Sequence, residues 1–242
     1  MTYIIGDVHG EFDTLIALVN KLAKQHELIF VGDLIDRGPK SKDVISFVRK
    51  NKHRCVLGNH EEFMMTYGSS VINSFPKHHY ANYFLSDWLL NGGKSTLISY
   101  GLAKIDKYDK KLLCIENKDA LKTFEDDLNW IKTLPLFIKL DANKGDKSVV
   151  ISHSSMANVW KFHNDKNNNE TFKEYCLWNR KEPKKDVEIF NIFGHTQVEN
   201  IDTSKHFLNI DTGCTYGLEK GYGELSAYCI ETSEIIHQRR VR

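Results

Sequence analysis

The chain has 242 residues, with 33 Lys and Arg against 32 Asp and Glu, a formal net charge of +1. Hydrophobic residues make up 41% and charged residues 27%, the composition of a globular chain long enough to bury a core without disulfides or a structural metal. The near-zero charge removes the electrostatic case for bulk binding to nucleic acid or an anionic membrane. The 5 cysteines are scattered, with no Cys-x-x-Cys pair, and fit free thiols in a reducing compartment. No signal peptide and no apolar run near the roughly 20 residues of a membrane span is visible, so a soluble, cytoplasmic protein is expected.

In chain order, Tyr3-Ile4-Ile5 is a short β-branched run that stops at Gly6-Asp7-Val8-His9-Gly10. Phe12, Leu15, Ile16, Val19, Leu22 and Ala23 then recur at helical spacing. Leu28-Ile29-Phe30-Val31 ends at Gly32-Asp33, a weaker helical pattern runs through Val44, Ile45, Phe47 and Val48, and Cys55-Val56-Leu57 ends at Gly58-Asn59-His60. Strand–helix–strand alternation of this kind predicts an α/β sheet. Residues 62–135 break the alternation and are expected to form a helical insertion over the site edge, with Asn91-Gly92-Gly93 as a break between helices. Val149-Val150-Ile151 leads to Ser152-His153, and Ile189 to Phe193 leads to Gly194-His195. Between them lies a second insertion, 155–187, whose Asn164–Asn169 run reads as a solvated loop. Phe207–Ile210, Ala227–Ile230 and Ile235-Ile236 follow without intervening helices and predict a second, more antiparallel sheet.

The polar residues cluster just past the carboxyl ends of the strands, the edge where open α/β sheets bind ligands. Asp7, His9, Asp33, Asn59, His60, His153 and His195 should therefore converge. A mixed carboxylate, carboxamide and imidazole set suits Mn²⁺, Fe²⁺ or Zn²⁺ better than the all-oxygen preference of Mg²⁺ or Ca²⁺. The set is too large for one ion with open positions, but would serve two ions about 3.5–4 Å apart that share a carboxylate. Other features are discounted. Asp211-Thr212-Gly213 matches an aspartic-protease triplet, but that chemistry needs two. His78-His79 and the Lys181, Lys184 and Lys185 group read as solvated. Trp178 reads as packing, and Tyr216 as a possible pocket wall.

Gly6-Asp7-Val8-His9-Gly10, Gly32-Asp33-Leu34-Ile35-Asp36-Arg37-Gly38 and Gly58-Asn59-His60-Glu61 resemble the three signature blocks of calcineurin-like metallophosphoesterases. More narrowly they resemble the phosphoprotein phosphatase (PPP) superfamily. Leu177-Trp178-Asn179-Arg180, Phe193-Gly194-His195-Thr196 and Ile210-Asp211-Thr212-Gly213 are similar to its bacterial and bacteriophage-lambda type. The resemblance implies one domain over residues 1–242 with the metallophosphoesterase fold: α/β, two mixed β-sheets in a central sandwich flanked by helices, with the helical insertion. It implies two divalent ions, Mn²⁺ first and Fe²⁺ or Zn²⁺ otherwise. Asp7 and His9 would bind the first, Asp33 would bridge, and Asn59, His153 and His195 would bind the second. His60 would be the general acid, oriented by Asp36, with Arg37 and Arg180 gripping the phosphate.

The implied activity is hydrolysis of phosphomonoesters by direct attack of a metal-bridging hydroxide, first as a serine/threonine protein phosphatase acting on phosphorylated proteins or peptides or a small phosphoester. The alternative is a symmetrical bis(5'-nucleosyl)-tetraphosphate hydrolase, and a third reading is a catalytically silent scaffold with the same fold. Leu57 stands where the superfamily's protein phosphatases usually carry Arg, and Ser154-Ser155 follow His153 where small Gly or Ala residues are usual. Neither nucleic acid nor membrane is an expected partner, and no oligomeric state is implied.

Overall fold

A computed structural model describes residues 1–74, 86–108, 110–217 and 221–241. The chain opens with β1 (Thr2–Ile5), α1 (Phe12–Val19), β2 (Glu27–Phe30), α2 (Ser41–Lys50), β3 (Arg54–Cys55) and α3 (Asn59–Ser74). β1, β2 and β3 pair in parallel, as the alternation with helices requires. Next come α4 (Ser86–Trp88), a kinked turn (Leu89–Gly93), α5 (Lys94–Ser99), β4 (Ala103–Ile105), β5 (Leu112–Cys114) and α6 (Lys118–Ile131). β6 (Phe137–Lys144) and β7 (Lys147–Ser152) form a hairpin, followed by 3₁₀ turns at Ala157–Phe162 and Lys166–Asn168 and by α7 (Asn169–Trp178). β8 (Ile189–Phe193), β9 (Leu208–Asn209), β10 (Glu224–Cys229) and β11 (Ile235–Arg239) close the order.

Two larger sheets run in the order β11-β10-β1-β2-β3 and β6-β7-β8-β9. Each strand sends alternate side chains to opposite faces, and these sort into separate apolar layers. Ile4, Ile29 and Val31 from one sheet meet Val149, Ile151, Phe190 and Ile192 from the other in a shared inner layer. Tyr3, Ile5, Leu28 and Phe30 point outward into a layer with Leu15 and Leu18 of α1, Val44, Ile45 and Val48 of α2, and Phe124 and Leu128 of α6. Val150 and Ile189 face outward from the second sheet toward Trp160 and Phe172. Both faces of β1, β2, β7 and β8 are therefore covered, which is why these strands read as unbroken apolar runs.

Three expectations need correction. The segment 62–135 is not wholly helical: β4 and β5 form a two-stranded antiparallel sheet within it, and its first helix starts earlier, at Asn59. The strands after His195 do not make a sheet of their own. β10 and β11 extend the first sheet antiparallel to β1, and β9 extends the second in parallel with β8, because each edge offered unpaired backbone groups. The Asn164–Asn169 run is ordered locally: Asp165 Oδ1 accepts from Asn167 N at 2.9 Å and caps a 3₁₀ turn that leads into α7. His78-His79 lie outside the described residues.

Candidate active site

All five strand-end loops deliver their polar residues to one edge of the sandwich. Asp7 follows β1, Asp33 follows β2, Asn59 and His60 begin α3 after β3, His153 follows β7, and His195 follows β8. All of these, with His9, are 4% exposed or less. The loops turn sharply enough to hold His9, Asp33, Asp36, Arg37 and His195 at φ between 47 and 71°, a left-handed conformation costing about 1–3 kcal/mol per non-glycine residue. The β2 and β3 loops touch so closely that a Cβ on Gly58 would overlap Asp33 and Glu61. Glu61, which the sequence reading assigned no role, joins them: its carboxylate accepts from Asp33 N and Leu34 N at 2.8 Å and from Gly58 N at 3.1 Å.

Ligand-bearing atoms crowd together with few donors between them. The His153 ring sets Nδ1 2.9 Å from Val31 O, so in the neutral tautomer Nδ1–H donates there and Nε2 presents a lone pair. That Nε2 lies 2.7 Å from Asn59 Oδ1, 3.2 Å from His195 Nδ1 and 3.4 Å from Asp33 Oδ1. His195 Nδ1 is itself 2.9 Å from Asn59 Oδ1. Burial holds both rings in the uncharged form: the His153 pKa is lowered, and His195 is lowered to about 3. Asn59 Oδ1, Asp33 Oδ1, His153 Nε2 and His195 Nδ1 thus converge on one point, a ligand set that a cation satisfies.

On the other side, His9 Nδ1 is 2.9 Å from Ile35 O, and its Nε2 lies 3.5 Å from Asp33 Oδ2, with His60 Nε2 3.9 Å from the same oxygen. Ligand atoms of His9, Asp33 and His60 lie within 4.8 Å of one another, as do those of Asp33, His153 and His195. The two groups share Asp33. Asp7 stands beside them, with Oδ2 accepting from His195 N at 3.1 Å and Oδ1 buried without a partner. Burial, then the charges of Asp211 and Asp33, push the Asp7 pKa well up. Burial likewise pushes Asp211 up to about 6. Excess buried negative charge and an orphaned carboxylate oxygen fit a site built for divalent cations.

The remaining residues form a relay and a rim. His60 Nδ1 is 2.7 Å from Asp36 Oδ2. Burial disfavours the His60 cation, but Asp33 and the Asp36 hydrogen bond outweigh it and raise the pKa. Asp36 is fully buried and accepts from Trp88 Nε1 at 3.0 and 3.1 Å and from Thr96 Oγ1 at 2.6 Å. Trp88 and Thr96 come from the insertion; in the sequence Trp88 reads only as part of a helix, and neither is marked as a site residue. Arg37 is exposed and donates to His9 Nε2 at 2.8 Å and His60 Nε2 at 3.0 Å, with its guanidinium 5.6 Å from the Tyr216 ring. Arg180 is also exposed, with Nη1 3.4 Å from both His195 O and Thr196 Oγ1. Trp178 is 40% exposed, edge-on to His195 at 6.1 Å. Asp211, discounted as a protease motif, is the carboxylate neighbour of Asp7; Gln197 Nε2 donates to it at 3.1 Å.

Comparison with known proteins identifies the family. The bis(5'-nucleosyl)-tetraphosphatase, symmetrical, of Neisseria meningitidis is 26% identical over 96% of this chain and 93% of that protein. The Escherichia coli protein of the same name is 29% identical over 66% of this chain, and the match spans 45% of that protein. Among solved structures, a candidate diadenosine tetraphosphatase superposes over 100% of this chain and 94% of that one, with a TM-score of 0.54 at 16% identity, a likeness of fold. The calcineurin-like phosphoesterase profile matches residues 2–199. With its sandwich of two mixed sheets and its carboxylate–imidazole clusters at the strand ends, the chain belongs to the calcineurin-like phosphoesterase family.

Proposed function

We propose that this phosphoesterase hydrolyses symmetrical dinucleoside tetraphosphates at the central anhydride, releasing two nucleoside diphosphates. The observation that carries the reading is the near-full-length similarity to the Neisseria tetraphosphatase, which spans both chains almost end to end. Leu57, in place of the arginine usual in protein phosphatases, supports it over the phosphoprotein reading.

In this reading Asp7 and His9 would hold one divalent ion and Asn59, His153 and His195 the other, with Asp33 within reach of both, and Mn²⁺ is the proposed ion. Ions held there would polarise the phosphoryl group and acidify a water molecule. Arg37 and Arg180 stand at the exposed rim, where planar guanidinium groups grip pairs of phosphate oxygens. His60 presents Nε2 toward the departing oxygen and hands it a proton, while Asp36 keeps Nδ1–H fixed and so selects which nitrogen faces the substrate. Trp88 and Thr96 act through Asp36 as positioning residues.

The test is a side-by-side assay of diadenosine tetraphosphate, a phosphoserine peptide and p-nitrophenyl phosphate in Mn²⁺. The dinucleotide should lead in kcat/KM by roughly 10²-fold, with ADP as sole nucleotide product. A preference for the peptide would replace this reading with that of a serine/threonine protein phosphatase. No turnover of any substrate by metal-loaded protein would replace it with that of a scaffold.

A further inference from the structure

A cleft of about 160 Å³ opens beside the metal-ligand cluster. Arg180 and Thr196 line its inner end, one residue from His195, so it begins where the phosphate clamp stops. Its apolar floor is Val198, Phe193 and Phe207, the two phenyl rings stacked with centroids 5.7 Å apart, and Lys205, paired with Glu182 at 2.7 Å, lies over the Phe207 ring as a movable wall. The volume is below the roughly 300–1,000 Å³ of a site that encloses a whole ligand, and fits one ring system of a longer one.

The polar side chains around the cleft differ in what they can offer. Asn209 is committed: Nδ2 donates to Thr196 O at 2.6 Å and Oδ1 accepts from Asp211 N at 3.1 Å. Asn179 is committed as well, donating to Ser155 O and accepting from Lys181 N at 3.1 Å. Both brace the walls. Asn200, exposed at the rim, keeps its carboxamide free of protein partners among the described residues. Arg180 uses only Nη1, in two long contacts, so most of its five N–H groups face outward.

Resting on the dinucleotide reading above, we propose that this cleft is the nucleoside subsite: the phosphate chain passes Arg180, one base lies against Val198 and Phe207, and Asn200 reads the base edge. A planar heteroaromatic ring fits a shallow slot with an apolar floor, and the Asn200 carboxamide stands uncommitted at its rim. That group offers a donor and an acceptor side by side, the pair that complements adenine. The slot therefore sets KM for dinucleotides and leaves small monoesters untouched, because p-nitrophenyl phosphate ends before it.

Two substitutions test the assignment, with thermal unfolding run on each to establish folding. Val198→Trp fills the slot, and Asn200→Ala removes the reading group from an exposed position that carries no fold contact. For diadenosine tetraphosphate, Val198→Trp should raise KM by ~10-fold or more and Asn200→Ala by ~3-fold, the scale of one lost hydrogen bond. Turnover of p-nitrophenyl phosphate should stay within twofold. Binding of ADP to the Mn²⁺-loaded protein, measured by calorimetric titration, should weaken in the same order. Equal losses on both substrates, or unchanged KM and unchanged ADP affinity in both variants, would overturn the subsite. If native protein binds ADP in a manner these substitutions weaken, yet does not cleave the dinucleotide, the substrate reading fails and the nucleotide cleft stands.

Discussion

His60 has one ring nitrogen tied 2.7 Å from Asp36 Oδ2 and the other facing the cluster, so its removal separates binding from proton transfer. His60→Asn should lower kcat for alkyl monophosphates by roughly 10²–10⁴, the usual contribution of a general acid. A nucleoside diphosphate leaves as a phosphate whose pKa is about 6 and needs far less protonation. The same variant should therefore lose no more than about tenfold on diadenosine tetraphosphate. Equal losses on both, measured as kcat at saturation, would remove His60 from the acid role. Glu61 is a second case at this scale. Its three backbone hydrogen bonds lock the loop carrying Asp33, and Gln in its place turns an N–H donor toward other N–H donors. Glu61→Gln should cost about 1–3 kcal/mol in chemical unfolding, and a value below ~0.5 kcal/mol would show the loop to be held by other contacts. The ligand-type residues were readable because each stands directly after an apolar run. Glu61 was not, because its service is to backbone amides, which leave no trace in side-chain pattern.

The insertion illustrates the same limit in its elements. Between α4 and α5 the chain kinks at Gly92, which adopts φ 115° and whose carbonyl accepts from Arg37 N at 3.3 Å. A Cβ at Gly92 would press on Arg37 and Asp36. Gly92→Ala should displace the Arg37 backbone and lower kcat/KM at least ~10-fold, a loss expected when a phosphate clamp moves by about an ångström. Trp88→Phe keeps a buried aromatic ring, though a smaller one, but deletes both contacts from Nε1 to Asp36, and should lower kcat on alkyl monophosphates with little change in KM. A shift confined to KM would refute the positioning role. Asn91-Gly92-Gly93 was legible as a break, but its destination was not, since contacts between residues 36–37 and 88–96 depend on how the insertion folds back. β10 and β11 posed a similar problem: their runs marked them as strands, while their pairing with β1 is settled by which sheet edge lies open. By contrast β1, α1 and β2 were plain, because local alternation and right-handed crossover leave little choice.

Across the whole molecule, two sheets and three apolar layers hold together an edge that by itself opposes folding. Five left-handed residues, Asp7 with an orphaned oxygen, and Asp33 and Asp211 in the same buried neighbourhood all lie there. The rigid strand ends, rather than contacts within the site, keep these groups close. Cations that bind only the folded arrangement relieve the repulsion and should stabilise the chain by mass action, by about 2.7 kcal/mol at a hundredfold excess over Kd. For a chain of this size that corresponds to a rise in Tm of roughly 5–10 °C. Differential scanning calorimetry should show this rise when Mn²⁺ is added to EDTA-treated protein, and its reversal on chelation. Asp33 is common to both ligand groups, so Asp33→Asn should lose most of the shift, whereas Asp127→Asn, remote in the contact between α6 and Tyr100, should keep it from a lower starting Tm. A full Mn²⁺ shift in Asp33→Asn would mean that the two groups do not share that carboxylate, and the paired-cation arrangement would have to be abandoned for one ion held by His153, His195 and Asn59.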